Sequence, residues 1–208
     1  MSTRVLLVRH GHVEGIDPPR FRGRRDLPLT PRGKTQAQAV ARRIADSFQI
    51  TAIYASPLAR TTETAEAIAR TTGLSVTRET GLIDIDYGRW HGMTVEDARR
   101  DSPNEIAVWL RSPDQALIQD GETLPDVLAR ATRTVVLRAS RHDGQTIVLV
   151  SHDSVLRVIL LHALAAPLAS YWRIEQAPCS ISELSYVEGR LHVARVNDTV
   201  HLERLTDG

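Results

Sequence analysis

The sequence predicts a three-layer α/β/α domain with a mostly parallel central sheet and a C-terminal hairpin at the sheet edge. Three observations carry that expectation. Short β-branched and leucine-rich runs alternate with amphipathic helical stretches through most of the chain, the pattern of strands joined by crossover helices. Three of those runs end in chemically active residues: Val5-Leu6-Leu7-Val8 leads into Arg9-His10-Gly11, Ala52-Ile53-Tyr54-Ala55 into Ser56-Pro57-Leu58-Ala59-Arg60, and Thr146-Ile147-Val148-Leu149-Val150 into Ser151-His152-Asp153. The length, 208 residues, suits one domain with a proper core, and no repeat or low-complexity linker interrupts it.

Each element follows in order. The first strand gives way to a loop over 15–28 that is too rich in proline and charge for a core element. Thr30 then caps a helix with Pro31 at its first position, whose apolar face is Ala37, Val40, Ala41, Ile44 and Phe48. The second strand feeds a helix expected to be capped by Ser56-Pro57 and ended by Gly73, and a short third strand follows over 75–78. Residues 84–122 read as an insertion covering the active site, with short helices near 95–100 and 104–110. Thr123-Leu124-Pro125-Asp126 opens a longer helix with Val127, Leu128, Ala131 and Val135 inward. After the central strand at 146–150, the run 155–166 fits a buried helix, since Arg157 and His162 break it well short of a membrane span. The segments 180–187 and 190–196 flank Glu188-Gly189 as a hairpin.

Composition narrows the function. The chain is 42% hydrophobic and 25% charged, so it is globular, and a net charge of +1 disfavours a dedicated nucleic-acid binder. Cys179 is the only cysteine, which excludes an intrachain disulfide and a cysteine metal cluster. No leader or membrane segment is expected, which points to a cytoplasmic protein, a monomer or homodimer. Lys34 is the only lysine; the abundance of arginine is first a matter of codon bias, and it matters chemically only beside a site. There, a guanidinium fork matches phosphate oxygens.

Two arginines and two histidines at three strand ends suit a phosphoryl group. Phosphoryl transfer needs positioning and charge stabilisation on the equatorial oxygens. Arg9 and Arg60 can clamp those oxygens, an imidazole can attack phosphorus in line, and a carboxylic acid must protonate the departing oxygen.

Arg9-His10-Gly11 after an apolar strand resembles the signature of the histidine phosphatase superfamily, also called phosphoglycerate mutase-like. Gly23 with Asp26-Leu27-Pro28-Leu29-Thr30, Arg32-Gly33, Ser56-Pro57-Leu58-Ala59-Arg60-Thr61 with Thr64-Ala65, Asp86-Tyr87-Gly88-Arg89-Trp90-His91-Gly92, Gly121-Glu122-Thr123, Val150-Ser151-His152 and Asn197-Asp198-Thr199 follow in family order. The resemblance covers nearly the whole chain, 1–208, as a single domain. It implies that His10 is the nucleophile that becomes phosphorylated, that Arg9, Arg60 and His152 form the phosphate pocket, and that no cofactor or metal is needed. It also implies a small phosphorylated metabolite as substrate, as in the small phosphatase branch that includes α-ribazole phosphatase and broad-specificity phosphatases.

Departures from the pattern matter. The family's acid is normally a glutamate, and here the matching position is Asp84, one methylene shorter. The residue after the second histidine is commonly glycine, and here it is Asp153, which in the acid-phosphatase branch would be the proton donor. Asp84 is favoured by position, and both stay open. His12 and Ile16 replace the usual residues at the pocket mouth. Gly11, His12, Arg22, Gly23 and Asp153 are therefore expected to border the phosphate with Arg9, Arg60 and His152.

Plainer readings hold elsewhere. His91, His142, His162, His192 and His201 read as structural or surface residues, Asp86 as a supporting or capping carboxylate, and Trp90, Trp109 and Trp172 as packing. The run Arg20, Arg22, Arg24, Arg25 would ordinarily be solvated, yet its loop should border the phosphate. Two alternative functions remain. A mutase-type phosphoryl transferase would need extra cations in the middle segment, where 102–120 offers only Arg111. A zinc hydrolase using His10 and His12 would ordinarily sit on a barrel of about 250 residues, and an adjacent arginine would repel the dication.

Overall fold

The computed structural model describes residues 2–203 and Leu205. The strands β1 (Thr3–Arg9), β2 (Ile50–Ala55), β3 (Val76–Arg78), β4 (Thr146–Ser151), β5 (Ile181–Val187) and β6 (Arg190–Asp198) form one six-stranded sheet in the order β3-β2-β4-β1-β5-β6. The first four are parallel; β5 runs antiparallel to β1, and β6 closes the edge as the second arm of the hairpin.

Side-chain alternation along each strand divides the interior into two cores. Leu6, Val8, Ile53, Ala55, Val148 and Val150 face helices α1 (Pro31–Ser47) and α2 (Ala59–Thr72), meeting Val40, Ile44, Ala65 and Ile68. Val5, Leu7, Tyr54, Ile147 and Leu149 face the other way, toward α5 (Leu124–Ala139) and α6 (Asp153–Ala163), with Val127, Val135, Leu156 and Ile159. Two short helices, α3 (Val95–Asp101) and α4 (Pro103–Arg111), extend this second layer through Ala98, Ile106 and Trp109. Burial on both faces explains why these strands read as unbroken apolar runs. Each fully buried aliphatic side chain contributes about 1.5–3 kcal/mol.

Helix starts follow local chemistry. The Thr30 hydroxyl accepts from the Gly33 N–H, and Thr123 and Asp126 form a reciprocal capping box at α5. Gly73 ends α2 in the left-handed conformation. One expected cap is different. α2 begins at Ala59 after Leu58, whose apolar side chain cannot cap; Asp26 Oδ1 accepts from the Ala59 N–H at 2.7 Å instead, and the Ser56 hydroxyl meets a histidine. The third strand also starts one residue later than expected, at Val76.

The parallel register puts three strand ends side by side: Arg9 is opposite Ser151, and Ala55 opposite Val150. Carboxyl ends of parallel strands, at the point where strand order reverses, are where ligands of such sheets gather. Among the described residues, no helix is long and apolar enough to cross a membrane.

Candidate active site

His10 is the first residue after β1 and is almost completely buried. Its Nδ1 lies 2.7 Å from the Gly11 carbonyl oxygen. A carbonyl can only accept, so Nδ1 carries the proton and Nε2 keeps its lone pair. Burial, then the fields of Arg60, His152 and Arg9, hold the imidazole well below its ordinary titration range, so the ring is neutral at physiological pH. Gly11 is required by packing: a Cβ there would stand 2.5 Å from the Gly33 carbonyl oxygen at the start of α1. Its N–H donates to Thr64 Oγ1 at 3.1 Å, tying the loop to α2.

His152 stands beside it, with ring centroids 5.3 Å apart. Arg60 Nε donates to His152 Nδ1 at 3.2 Å, so the proton is on Nε2, which donates to Ser56 Oγ at 2.7 Å. Burial and four neighbouring arginines, Arg60 foremost, push this imidazole down as well.

Three guanidinium groups converge on the same spot. Arg60 is fully buried and donates to the carbonyls of Arg25 and Gly23, each at 2.7 Å. Gly23 holds a positive φ of 47°, and a Cβ there would meet the His91 ring at 2.3 Å, so only glycine presents its carbonyl this way. Arg9 donates through Nη1 to the Gln176 carbonyl, and Arg22 through Nη1 to that of Gly15. The Nε of Arg9 and of Arg22 are buried without a hydrogen-bond partner. An orphaned buried donor costs about 1–3 kcal/mol, a cost that an anion in the pocket would offset.

Asp84 is buried against this cluster, 6% exposed. Its Oδ2 accepts from Arg60 Nη2 at 3.0 Å and lies 3.6 Å from His152 Nδ1. Its Oδ1 accepts from the Ile85 N–H at 3.0 Å and from the Ser154 hydroxyl. Arg130, paired with Glu122 at 2.9 Å, donates to the carbonyls of Gly81, Ile83 and Asp84 and clamps that backbone. Asp86 caps the Gly88 N–H at 2.9 Å and pairs with Arg24 at 3.1 Å, the supporting role expected of it.

Thus His10, Arg9, Arg60, His152, Asp84, Arg22, Gly11 and Gly23 come together. His12 and Asp153 stand at the margin: His12 Nδ1 is bound to Thr30 Oγ1 at 3.0 Å, and Asp153, at the start of α6, accepts from Arg157 Nε at 2.9 Å. Trp90 is fully buried, with its indole N–H on Ser102 Oγ at 2.8 Å, and is packing rather than pocket wall. Among the described residues no three His, Cys, Asp or Glu side chains gather as a metal-ligating set, so the His10/His12 pair lacks a third ligand. Sequence reasoning passed over Ser154, Gln176 and Arg130, which hold Asp84 and Arg9, and assigned Ser56 to the wrong partner. Only Ser56 carried a signal, its place at a strand end.

The family model described as the histidine phosphatase superfamily (branch 1) matches residues 5–199. The chain is 34% identical over 199 residues to phosphoserine phosphatase 1 of Hydrogenobacter thermophilus, covering 96% of this chain and 94% of that protein. It is 30% identical over 187 residues to a probable phosphoglycerate mutase GpmB of Salmonella arizonae, covering 90% and 86%. The solved structure of Bacillus stearothermophilus YhfR superposes with a TM-score of 0.92 at 29% identity, covering 97% of this chain and 100% of that one. The chain spans 55% of the length of mycobacterial relatives that it matches at 34% identity.

Proposed function

The chain belongs to the histidine phosphatase superfamily (branch 1) and is an enzyme acting as a phosphatase; we propose that it hydrolyses small phosphate monoesters through a phosphohistidine on His10. The observation that carries this reading is a neutral imidazole, its Nε2 lone pair free, in the field of Arg60 and Arg9, with the Nε donors of Arg9 and Arg22 buried and unused. Arg9, Arg22, Arg60 and His152 hold the transferring group, and Gly11, His12, Gly23 and Asp153 border it. His10 Nε2 attacks phosphorus as the ester P–O bond breaks, and Asp84 gives its proton to the departing oxygen. Water then attacks the phosphohistidine, Asp84 takes the water's proton, and inorganic phosphate leaves with His10 restored.

Hydrolysis is preferred to mutase transfer because the segment 102–120 carries a single cation, where a mutase-type transferase would need several. Within 102–120 the sole basic residue, Arg111, is exposed at the end of α4. The 84–122 segment roofs the pocket in this reading and supplies Asp84 and Tyr87. The protein acts in the cytoplasm, as a monomer or homodimer, on free small molecules rather than nucleic acid, in keeping with its net charge of +1. The test is to trap the intermediate with a labelled aryl phosphate. Label stable to base, labile to acid and lost in His10→Ala is expected, with turnover indifferent to chelators. A His10→Ala protein that keeps most of its turnover, or activity abolished by a chelator and restored by a divalent metal, refutes the proposal.

A further inference from the structure

Resting on the phosphatase reading, we propose that Asp153 and Arg157 are a specificity pair selecting esters whose leaving alcohol carries an ammonium group beside a carboxylate, as in O-phosphoamino acids. Asp153 directly follows His152, and Arg157 is one helical turn later on the same face of α6. Arg157 Nε donates to Asp153 Oδ1 at 2.9 Å and its Nη1 to the Tyr171 carbonyl at 3.0 Å. Its guanidinium lies over the rings of Tyr171, at 5.2 Å, and Trp172, at 5.5 Å. Those rings are fixed in turn: Tyr171 is buried, Trp172 meets it edge-on at 4.7 Å, and the Trp172 indole N–H donates to the Trp109 carbonyl at 3.0 Å.

This support leaves half of the pair's valence unused. Asp153 Oδ2 and Arg157 Nη2 make no hydrogen bond to other described residues, and the side chains are 27% and 12% exposed. One free carboxylate oxygen near one unused guanidinium nitrogen, Nη2, offers a single contact to each charge of an amino-acid zwitterion. The pair also stands beside the pocket, since α6 begins at Asp153 directly after His152. Arg9 loses basicity first through burial, and among the charges that act on it Asp153 is the strongest. The Tyr87 phenol, pushed up by burial, feels Asp84 and then Asp153. Asp153, first residue of α6 and next to His152, thus stands at the margin of the pocket, where the part of the ester beyond the phosphate would reach.

The plainer reading is an ordinary ion pair one turn apart, which contributes little to stability. That reading accounts for a carboxylate at a helix start, where it is favoured, but not for the two polar atoms left unused, and this charge also repels the phosphate that Arg9 must bind. That repulsion weakens binding of every phosphate ester, and an ammonium group on the substrate offsets it.

The experiment compares kcat/KM for O-phosphoserine with that for its deaminated analogue, 3-(phosphonooxy)propanoate. Wild-type protein should prefer O-phosphoserine, and Asp153→Asn should shrink that ratio by about ten- to a hundredfold, mostly through KM for O-phosphoserine. Asp153→Glu should keep much of the preference. Asp153→Ser, which retains an oxygen at the helix start without the charge, should lose it if the Asn variant folds poorly. Arg157→Gln should narrow the preference for O-phosphoserine over phosphoethanolamine, which lacks the carboxylate. A ratio unchanged in Asp153→Asn overturns the proposal, and equal falls on both alkyl esters would make Asp153 a proton donor. Wild-type protein that hydrolyses an aryl phosphate without preferring either ester overturns the specificity pair alone. Hydrolysis of none of them overturns the phosphatase reading with it.

Discussion

Replacing Arg60 by methionine tests whether the cationic site and the fold share one residue. Arg60 is fully buried, and its side chain serves four acceptors: Asp84 Oδ2, His152 Nδ1 and the carbonyls of Gly23 and Arg25. Methionine conserves much of the volume, so the cost lies in the partners left behind. Breaking a buried ion pair by removing one side costs about 3–5 kcal/mol, because the remaining charge is uncompensated. The Asp84 side chain is only 9% exposed, so water screens little of that. The buried Gly23 carbonyl loses its donor as well, for about 1 kcal/mol more. The expected total, about 4–6 kcal/mol, is a large part of the 5–15 kcal/mol that typical domains possess. Urea denaturation followed by circular dichroism measures it. Adding Asp84→Asn should restore about 2–3 kcal/mol, because the second change removes the stranded charge. A loss below about 2 kcal/mol in Arg60→Met, or a second substitution that merely adds its own destabilisation, refutes the reasoning.

Three further outcomes follow from the same geometry. Asp84→Asn should slow hydrolysis of alkyl phosphates by about 10²–10⁴ while sparing aryl esters with weakly basic leaving groups; equal losses on both would remove Asp84 from the acid role. Gly33→Ala would place a Cβ 2.1 Å from the His12 carbonyl oxygen, against backbone that cannot yield. It should destabilise the fold by about 1–3 kcal/mol and lower kcat/KM, and an unchanged melting temperature would contradict that contact. His10 and His152 are held below their unfolded titration, by burial first and then by Arg60. The unfolded chain therefore binds protons that the folded one refuses, and stability falls as pH drops through about 6.5, by up to about 1.4 kcal/mol per pH unit for each ring. Denaturation curves from about pH 7.5 to about pH 5.5 measure this, His152→Asn should flatten the slope, and no slope in the wild type speaks against neutral buried rings.

Local signals in the sequence determined the strands, most helix limits and the chemistry at three strand ends. Val5-Leu6-Leu7-Val8 and Ile147-Val148-Leu149-Val150 are apolar on both faces because each strand is buried on both sides, and that requirement is written residue by residue. Thr30 with Pro31, Thr123 with Asp126, and Gly73 act within one turn of themselves, so their roles need no distant partner. The gathering of Arg9, His10, Arg60 and His152 was expected once parallel strands were, because parallel register puts like ends together. Tertiary structure alone decided which groups hold those residues. Ser56 meets His152 across 96 positions, Ser154 meets Asp84 across 70, and the Gln176 carbonyl meets Arg9 across 167. It also decided that Asp84 turns back onto Arg60, and that Arg157 lies on Tyr171 while pairing with Asp153. Each of these depends on where a side chain points after two layers have packed, and no periodicity or cap in the chain encodes such a direction.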